Sequence, residues 1–150
     1  MRIRPEANDD LARALHLIAH QHGKQKDKAG APYLMHLIRV AGRSTDPDEM
    51  IVALLHDIVE DTDVTLEAVA ERFSPNIVHA VDLLTRRKDE SYKTYCRRIR
   101  DDNGLALRVK IRDIRDNMRR DRGYYDNEME KGRKQYYAGL AILDCKTETP

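Results

Sequence analysis

Apolar side chains recur at helical spacing along most of the chain. Between residues 9 and 22 they include Leu11, Leu15 and Ile18, which predicts an amphipathic helix that ends at Gly23. Further helices are predicted at residues 32–40, 46–61, 65–73, 74–84, 91–101, 105–120 and 127–143. No segment alternates as a strand does, so the predicted fold class is an all-α bundle of about seven to nine helices in a single domain, residues 1–150.

The helix predicted from residue 46 has the most apolar sequence. Asp46 is suited to cap it, Pro47 suits its first position, and Glu49 stands where a capping box requires an acid. Aliphatic residues then follow on nearly every face up to His56 and Asp57. A helix of this kind belongs in the middle of a domain.

Composition and charge argue against some classes of function. The chain has 27 basic and 26 acidic residues, a formal net charge of +1, which argues against a nucleic-acid coat protein but permits a local cationic pocket. Cys96 and Cys145 lack the spacing of a zinc-thiolate site. Because neither a secretory signal nor a membrane-length apolar run is present, we expect a cytoplasmic protein that binds neither nucleic acid nor membrane.

A group of acids interrupts the apolar helix. If the helix is continuous, His56 and Glu60 share one face, and Asp57 and Asp61 share the next. Carboxylates gathered in this way repel one another, and a divalent cation removes the conflict. The alternative interpretation is that His56 and Asp57 form a buried ion pair in a helical core.

Two further residues extend this group. His36 provides a second imidazole, and Asp113 provides a carboxylate from a later apolar helix face, where Asp116 is a competing candidate that we interpret as solvated. Two imidazoles and two carboxylates suit manganese, iron or zinc better than calcium or magnesium. Such a site can lower the pKa of a water molecule and polarise a phosphoryl oxygen, which predicts a phosphohydrolase.

Three stretches carry a resemblance to a known family. They are Gly-Ala-Pro-Tyr-Leu-Met-His at 30–36, Ala-Leu-Leu-His-Asp-Ile-Val-Glu-Asp-Thr at 53–62, and Val-Lys-Ile-Arg-Asp-Ile-Arg-Asp-Asn-Met at 109–118. Together they resemble the HD superfamily, and more narrowly the alarmone hydrolase domain of the RelA/SpoT family, especially its small stand-alone hydrolases. The resemblance implies a helical HD-domain bundle.

The resemblance also implies roles for particular residues. The implied metal ligands, usually for manganese, are His36, His56, Asp57 and Asp113. The implied pair that positions or activates the attacking water is Glu60 and Asp61. The implied substrate contacts are Lys24, Lys26, Lys28, Tyr33 and Asn117. The family reaction removes pyrophosphate from the 3′ position of guanosine tetra- or pentaphosphate, so the expected partner is a phosphorylated nucleotide.

Several positions depart from the family pattern. Leu37 stands where Pro is usual, Gln25 lies in a loop where an Arg-Lys pair is common, and Arg112 and Ile114 flank Asp113 with untypical side chains. These changes leave other functions open: hydrolysis of adenosine analogues, an NADPH 2′-phosphatase, another nucleotide phosphatase, or a nucleotide-binding module without catalysis. The pair of arginines at 86–87 is interpreted as an exposed face.

Overall fold

The computed structural model describes residues 6–119 and 127–144, and these contain nine helices. The helices are α1 (Ala7–His22), α2 (Leu34–Ala41), α3 (Pro47–Leu55), α4 (Ile58–Asp61), α5 (Leu66–Ala70), α6 (Pro75–Leu84), α7 (Tyr92–Asp102), α8 (Leu105–Asn117) and α9 (Asn127–Leu143). The only extended pairing in the described ranges is an isolated bridge between Lys26 and Pro32. The prediction of an all-α fold is confirmed. None of the described helices has the length and apolar character needed to cross a membrane.

Helix α3 begins as the sequence predicts, but without a capping box. The Asp46 carboxylate accepts hydrogen bonds from the backbone N–H groups of Asp48, at 2.9 Å, and Glu49, at 3.4 Å. Glu49 is 3% exposed, and its side chain forms ion pairs with Arg108, at 2.6 Å, and with Arg112. Glu49 therefore ties α3 to α8, because two guanidinium groups neutralise a buried carboxylate better than one backbone N–H.

The centre of the bundle is α3, which packs against α1, α2, α6 and α8. Its residues Ile51, Val52, Ala53 and Leu55 are fully buried. A helix that is apolar on every face after its first turn needs neighbours on every side, which explains its central position. The C-terminal end of α3, which leads directly into His56, is therefore enclosed by the surrounding helices.

The predicted continuous helix over residues 46–61 is wrong at one place. Helix α3 ends at Leu55 and α4 begins at Ile58, so His56 and Asp57 lie in the break. The His56 Nδ1 atom donates to the carbonyl oxygen of Ala53, at 2.6 Å, which in a continuous helix accepts the Asp57 N–H. The side chains in this segment are consequently not spaced by the regular turn of a helix.

Truncation of Ile51 is expected to destabilise the fold strongly. Replacing this fully buried side chain with alanine should lower the free energy of unfolding by about 2–5 kcal/mol, because α3 is enclosed and the cavity cannot collapse. Urea denaturation followed by circular dichroism measures the change. Leu15→Ala is the matched control, since Leu15 is 43% exposed and its truncation should change stability by only about 0.5 kcal/mol or less.

Candidate metal centre

Two imidazoles and two carboxylates from three parts of the chain converge at one point. Helix α2 contributes His36, the break between α3 and α4 contributes His56 and Asp57, and α8 contributes Asp113. The Asp113 Oδ1 atom lies 3.2 Å from His36 Nε2 and 3.4 Å from His56 Nε2, and Asp57 Oδ2 lies 3.0 Å from His56 Nε2. Ligand atoms of His36, His56 and Asp57 all lie within 4.8 Å of one another. These three side chains are thus close enough to share one ion, and Asp113 adjoins both imidazoles.

Each imidazole ring is held through the nitrogen that faces away from this cluster. The His36 Nδ1 atom donates to Asp116 Oδ2, at 2.7 Å, and the His56 Nδ1 atom donates to the carbonyl oxygen of Ala53, at 2.6 Å. Because both oxygens can only accept, each ring carries its hydrogen on Nδ1 and presents Nε2 to the cluster. Metal-binding histidines are oriented in this way.

The carboxylates of Asp57 and Asp113 dominate the electrostatics of the cluster. Burial alone would lower the pKa of His56, but the charges of Asp57 and Asp113 outweigh burial and raise that pKa well above its ordinary value. Burial alone would raise the pKa of Asp113, but the charges of Lys110 and His56 hold it well below its usual range. The electrostatics of the cluster thus favour a positive charge close to Asp57 and Asp113.

The donor set fits a divalent metal ion. The His56 Nε2 atom is buried, and its approach to Asp57 Oδ2 at 3.0 Å does not have the geometry of a hydrogen bond, although a buried polar atom is costly to leave unpaired. A cation at this point would give that nitrogen a partner and neutralise the two carboxylates. Nitrogen and oxygen donors in equal number suit a transition metal better than calcium or magnesium.

A cavity of about 540 Å³ opens beside the cluster. Asp57 and Asp113 lie at its wall, together with Glu60 and Asp61. The predicted substrate contacts that line it are Lys26, Lys28, Tyr33 and Asn117. The fifth, Lys24, is exposed and is not among the lining residues. The cavity therefore brings together the ligand carboxylates, the predicted catalytic pair and most of the predicted substrate contacts.

Glu60 and Asp61 lie at the end of α4, one turn beyond the break. Partial burial raises the pKa of the Glu60 carboxyl, and the backbone N–H of Arg86 donates to Glu60 Oε1 and partly offsets that rise. Burial, reinforced by the charge of Asp57, also raises the pKa of Asp61. A carboxylate with a raised pKa is a better proton acceptor, which suits the role predicted for this pair.

Tyr33 and Asn117 hold the carboxylates of the cluster. The Tyr33 hydroxyl donates to Asp57 Oδ2, and Asn117 Nδ2 donates to Asp113 Oδ1, at 2.7 Å. The resemblance predicted contacts of these residues with the base and sugar of a nucleotide. Their hydrogen bonds add a second role, because each donor fixes the orientation of a carboxylate that faces the two imidazoles.

Gln25 connects the lysine-containing loop between α1 and α2 to the end of α4. Its side-chain Nε2 donates to the carbonyl oxygen of Asp61, at 3.0 Å, and its Oε1 accepts from His22 Nδ1, at 2.8 Å. Its backbone carbonyl accepts the N–H of Tyr33, at 2.9 Å. The Gln25 side chain, in the loop where an Arg-Lys pair is common, is therefore engaged by the protein and does not line the cavity.

Two cations of the cavity were missed by the sequence analysis. Lys110 Nζ lies 2.7 Å from Asp113 Oδ2 and 5.1 Å from the centre of the Tyr95 ring. Arg86 is exposed, as it was interpreted, but it also lines the cavity and stacks on Tyr92 at 5.8 Å. The sequence did contain a signal for Lys110, because it lies three residues before Asp113 on the same helix. It contained no such signal for Arg86, which follows the end of a helix.

The prediction that Asp116 is solvated is wrong. Asp116 is 4% exposed and accepts hydrogen bonds from His36 and Arg39. The charges and hydrogen bonds of these two partners outweigh burial and hold the pKa of Asp116 well below its usual range. Asp113 and Asp116 are three residues apart and therefore lie on neighbouring turns of α8. Asp116 lies on the side of His36 that faces away from Asp113.

Curated relatives match a little over half of the chain. It is 36% identical over 94 residues to the guanosine-3′,5′-bis(diphosphate) 3′-pyrophosphohydrolase of Aquifex aeolicus, a match that covers 60% of this chain and 14% of that protein. It is 39% identical over 92 residues to the GTP pyrophosphokinase rsh of Brucella ovis, which covers 58% of this chain and 12% of that protein. The matched part is thus a small fraction of the length of these relatives.

A solved structure and a family model match more of the chain. The structure is described as a metazoan ortholog of SpoT that hydrolyses ppGpp and plays a role in starvation responses; it superposes with a TM-score of 0.72 at 25% identity, over 95% of this chain and 88% of that one. The family model of the HD domain matches residues 14–116, which is more than half of the chain and includes every residue of the metal cluster. The resemblance to the RelA/SpoT hydrolase domain is therefore confirmed, and the chain belongs to the HD domain family.

Proposed function

We propose that the chain hydrolyses the 3′-pyrophosphate of guanosine tetra- or pentaphosphate, giving GDP or GTP and pyrophosphate, with manganese as the metal ion. The observation that carries this proposal is the convergence of His36, His56, Asp57 and Asp113 at the wall of a cavity that also holds Glu60 and Asp61. The names of the Aquifex relative and of the metazoan structure, which refer to this reaction, support it.

In the proposed reaction, a water oxygen attacks the phosphorus that is bonded to the ribose 3′ oxygen. The bond between that phosphorus and the 3′ oxygen breaks, and the 3′ oxygen takes up a proton. We assign Glu60 and Asp61 to orient the water and accept its proton, since both carboxylates line the cavity and burial raises the pKa of each.

We assign His36, His56, Asp57 and Asp113 as the metal ligands. When bound there, a divalent cation would lower the pKa of a water molecule and polarise a phosphoryl oxygen. Tyr33 and Asn117 hold two of the ligand carboxylates in position through their hydrogen bonds. Manganese is proposed over zinc or iron because the family resemblance favours it.

The phosphate groups would meet cations from two parts of the chain. Lys26 and Lys28 come from the loop before α2, and Arg86 follows α6, and all three line the cavity. Their charges offset those of a polyphosphate, which the acidic cluster alone would repel. The cytoplasmic location and the single-domain organisation expected from the sequence stay predictions.

A different substrate on the same site remains the second candidate. The observation that favours it is the engagement of Gln25 by Asp61 and His22, since this loop has no Arg to stack on a guanine base. An adenosine alarmone or the 2′-phosphate of NADPH would then use the same metal ligands and Glu60.

A substrate panel tests the proposal. The metal-free protein, with and without added Mn²⁺, is incubated with guanosine tetraphosphate, its adenosine counterpart and NADPH, and ³¹P NMR identifies the released product. We expect pyrophosphate from the guanosine compound only when Mn²⁺ is present. Orthophosphate from NADPH would favour the second candidate, and tight nucleotide binding without turnover of any compound would indicate a binding module.

Substitutions of the two loop lysines Lys24 and Lys26 are expected to have different effects on KM. Lys26→Ala should raise KM by about 10-fold, since it removes a cation of the cavity that can form a charge-assisted hydrogen bond with a phosphate. Lys24→Ala removes the same charge from the same loop but outside the cavity lining, so its KM should match that of the wild type. Steady-state kinetics with guanosine tetraphosphate make the comparison. Equal effects of the two substitutions would contradict a specific contact by Lys26.

A further inference from the structure

The two imidazole rings differ in the group that accepts the hydrogen bond from Nδ1. His36 Nδ1 donates to the carboxylate of Asp116, whereas His56 Nδ1 donates to the backbone carbonyl of Ala53. The side chains of His36 and Asp116 are 1% and 3% exposed. A buried carboxylate is therefore placed directly behind one of the two imidazoles.

Arg39 holds that carboxylate in place. Its Nε donates to Asp116 Oδ1, at 2.8 Å, and its Nη2 donates to Asp116 Oδ2, at 3.0 Å. Two parallel hydrogen bonds of this kind fix the plane of a carboxylate as well as its position. Because Arg39 and His36 lie three residues apart on α2, the helix presents both to the same carboxylate of α8.

We propose that Asp116 and Arg39 are positioning residues that orient His36 and strengthen its Nε2 as a metal ligand. The inference rests on the metal site of the proposed function. Asp116 keeps the hydrogen on Nδ1 and directs Nε2 towards Asp113, and its negative charge makes the imidazole a better electron donor. Arg39 prevents the carboxylate from turning towards the metal ligands.

An ion pair that merely joined α2 to α8 would predict something different. Such a pair needs only the contact between Arg39 and Asp116, and its removal would change stability without changing the metal site. In this protein the carboxylate also bonds the ring of a proposed ligand, so we expect its removal to change metal affinity in the folded protein.

The experiment measures Mn²⁺ affinity by calorimetric titration in the wild type, Asp116→Asn and Arg39→Gln. Asp116→Asn keeps the shape of the side chain and should weaken Mn²⁺ binding by about 10- to 100-fold. Arg39→Gln should weaken it in the same direction but by less. Asp10→Asn is the matched control, since Asp10 is a 7% exposed aspartate that pairs with Arg13 outside the cavity lining, and it should leave the affinity unchanged.

A second measurement detects which nitrogen of the His36 ring carries the hydrogen. In the metal-free wild type, ¹⁵N NMR of the imidazole nitrogens should show hydrogen on His36 Nδ1, and in Asp116→Asn this preference should weaken. If Asp116→Asn does not fold, Arg39→Gln carries the same two measurements. Wild-type Mn²⁺ affinity in the folded variants would overturn the inference alone, whereas a wild type that binds no metal would overturn the proposed metal site together with it.

Discussion

Replacing Asp57 with alanine is expected to abolish both metal binding and hydrolysis. Asp57 Oδ2 lies 3.0 Å from His56 Nε2, and the Tyr33 hydroxyl holds the carboxylate towards the cluster. Its removal deletes one of two negative charges that a cation would neutralise. We expect Mn²⁺ affinity to fall by more than roughly 100-fold, since outer-sphere partners alone are worth about 10- to 100-fold. His56→Ala should have the same effect, because it removes the nitrogen on which both carboxylates converge.

Asp63→Ala is the control for Asp57→Ala. Asp63 is an exposed acid just beyond α4 and does not line the cavity, so its variant should bind Mn²⁺ and turn over as the wild type does. Calorimetric titration and pyrophosphate release measure the two effects separately. Asp57→Ala with unchanged Mn²⁺ affinity would refute the assignment of Asp57 as a ligand.

Replacing Glu60 is expected to separate catalysis from metal binding. Glu60→Gln retains an oxygen that can accept the backbone N–H of Arg86 but removes the proton-accepting carboxylate. We expect kcat to fall by about 10²–10⁴-fold, the usual contribution of a general acid or base, with Mn²⁺ affinity unchanged. Glu60→Ala should show the same loss of turnover with the metal retained.

Glu67→Gln serves as the comparison for Glu60→Gln. Glu67 is an exposed glutamate of α5 outside the cavity lining, and its substitution should change neither turnover nor metal affinity. Single-turnover measurements with saturating Mn²⁺ isolate the chemical step. An unchanged rate in Glu60→Gln would remove Glu60 from the reaction and leave Asp61 as the remaining candidate.

Much of the molecule follows from the local pattern of the chain. The helix over residues 105–120 was predicted within a few residues of α8, and the predicted cap at Asp46 forms. The side chains of Thr65 and Ser91 cap helices that were predicted to begin at these residues. Helical spacing and caps are interactions between residues three or four apart, so a sequence contains them directly. The identities of His36, His56, Asp57 and Asp113 came from short motifs that the resemblance made specific.

The environment of those motifs was decided by the tertiary structure. His36 and Asp116 are 80 residues apart and Arg39 and Asp116 are 77 apart, so no local pattern could show that Asp116 is buried between them. The break at His56 and Asp57 likewise depends on a side-chain hydrogen bond inside a packed core, where helical propensity does not decide the backbone. Periodicity determined which faces of the helices are apolar, and packing of α2, α3 and α8 against one another determined which polar side chains meet.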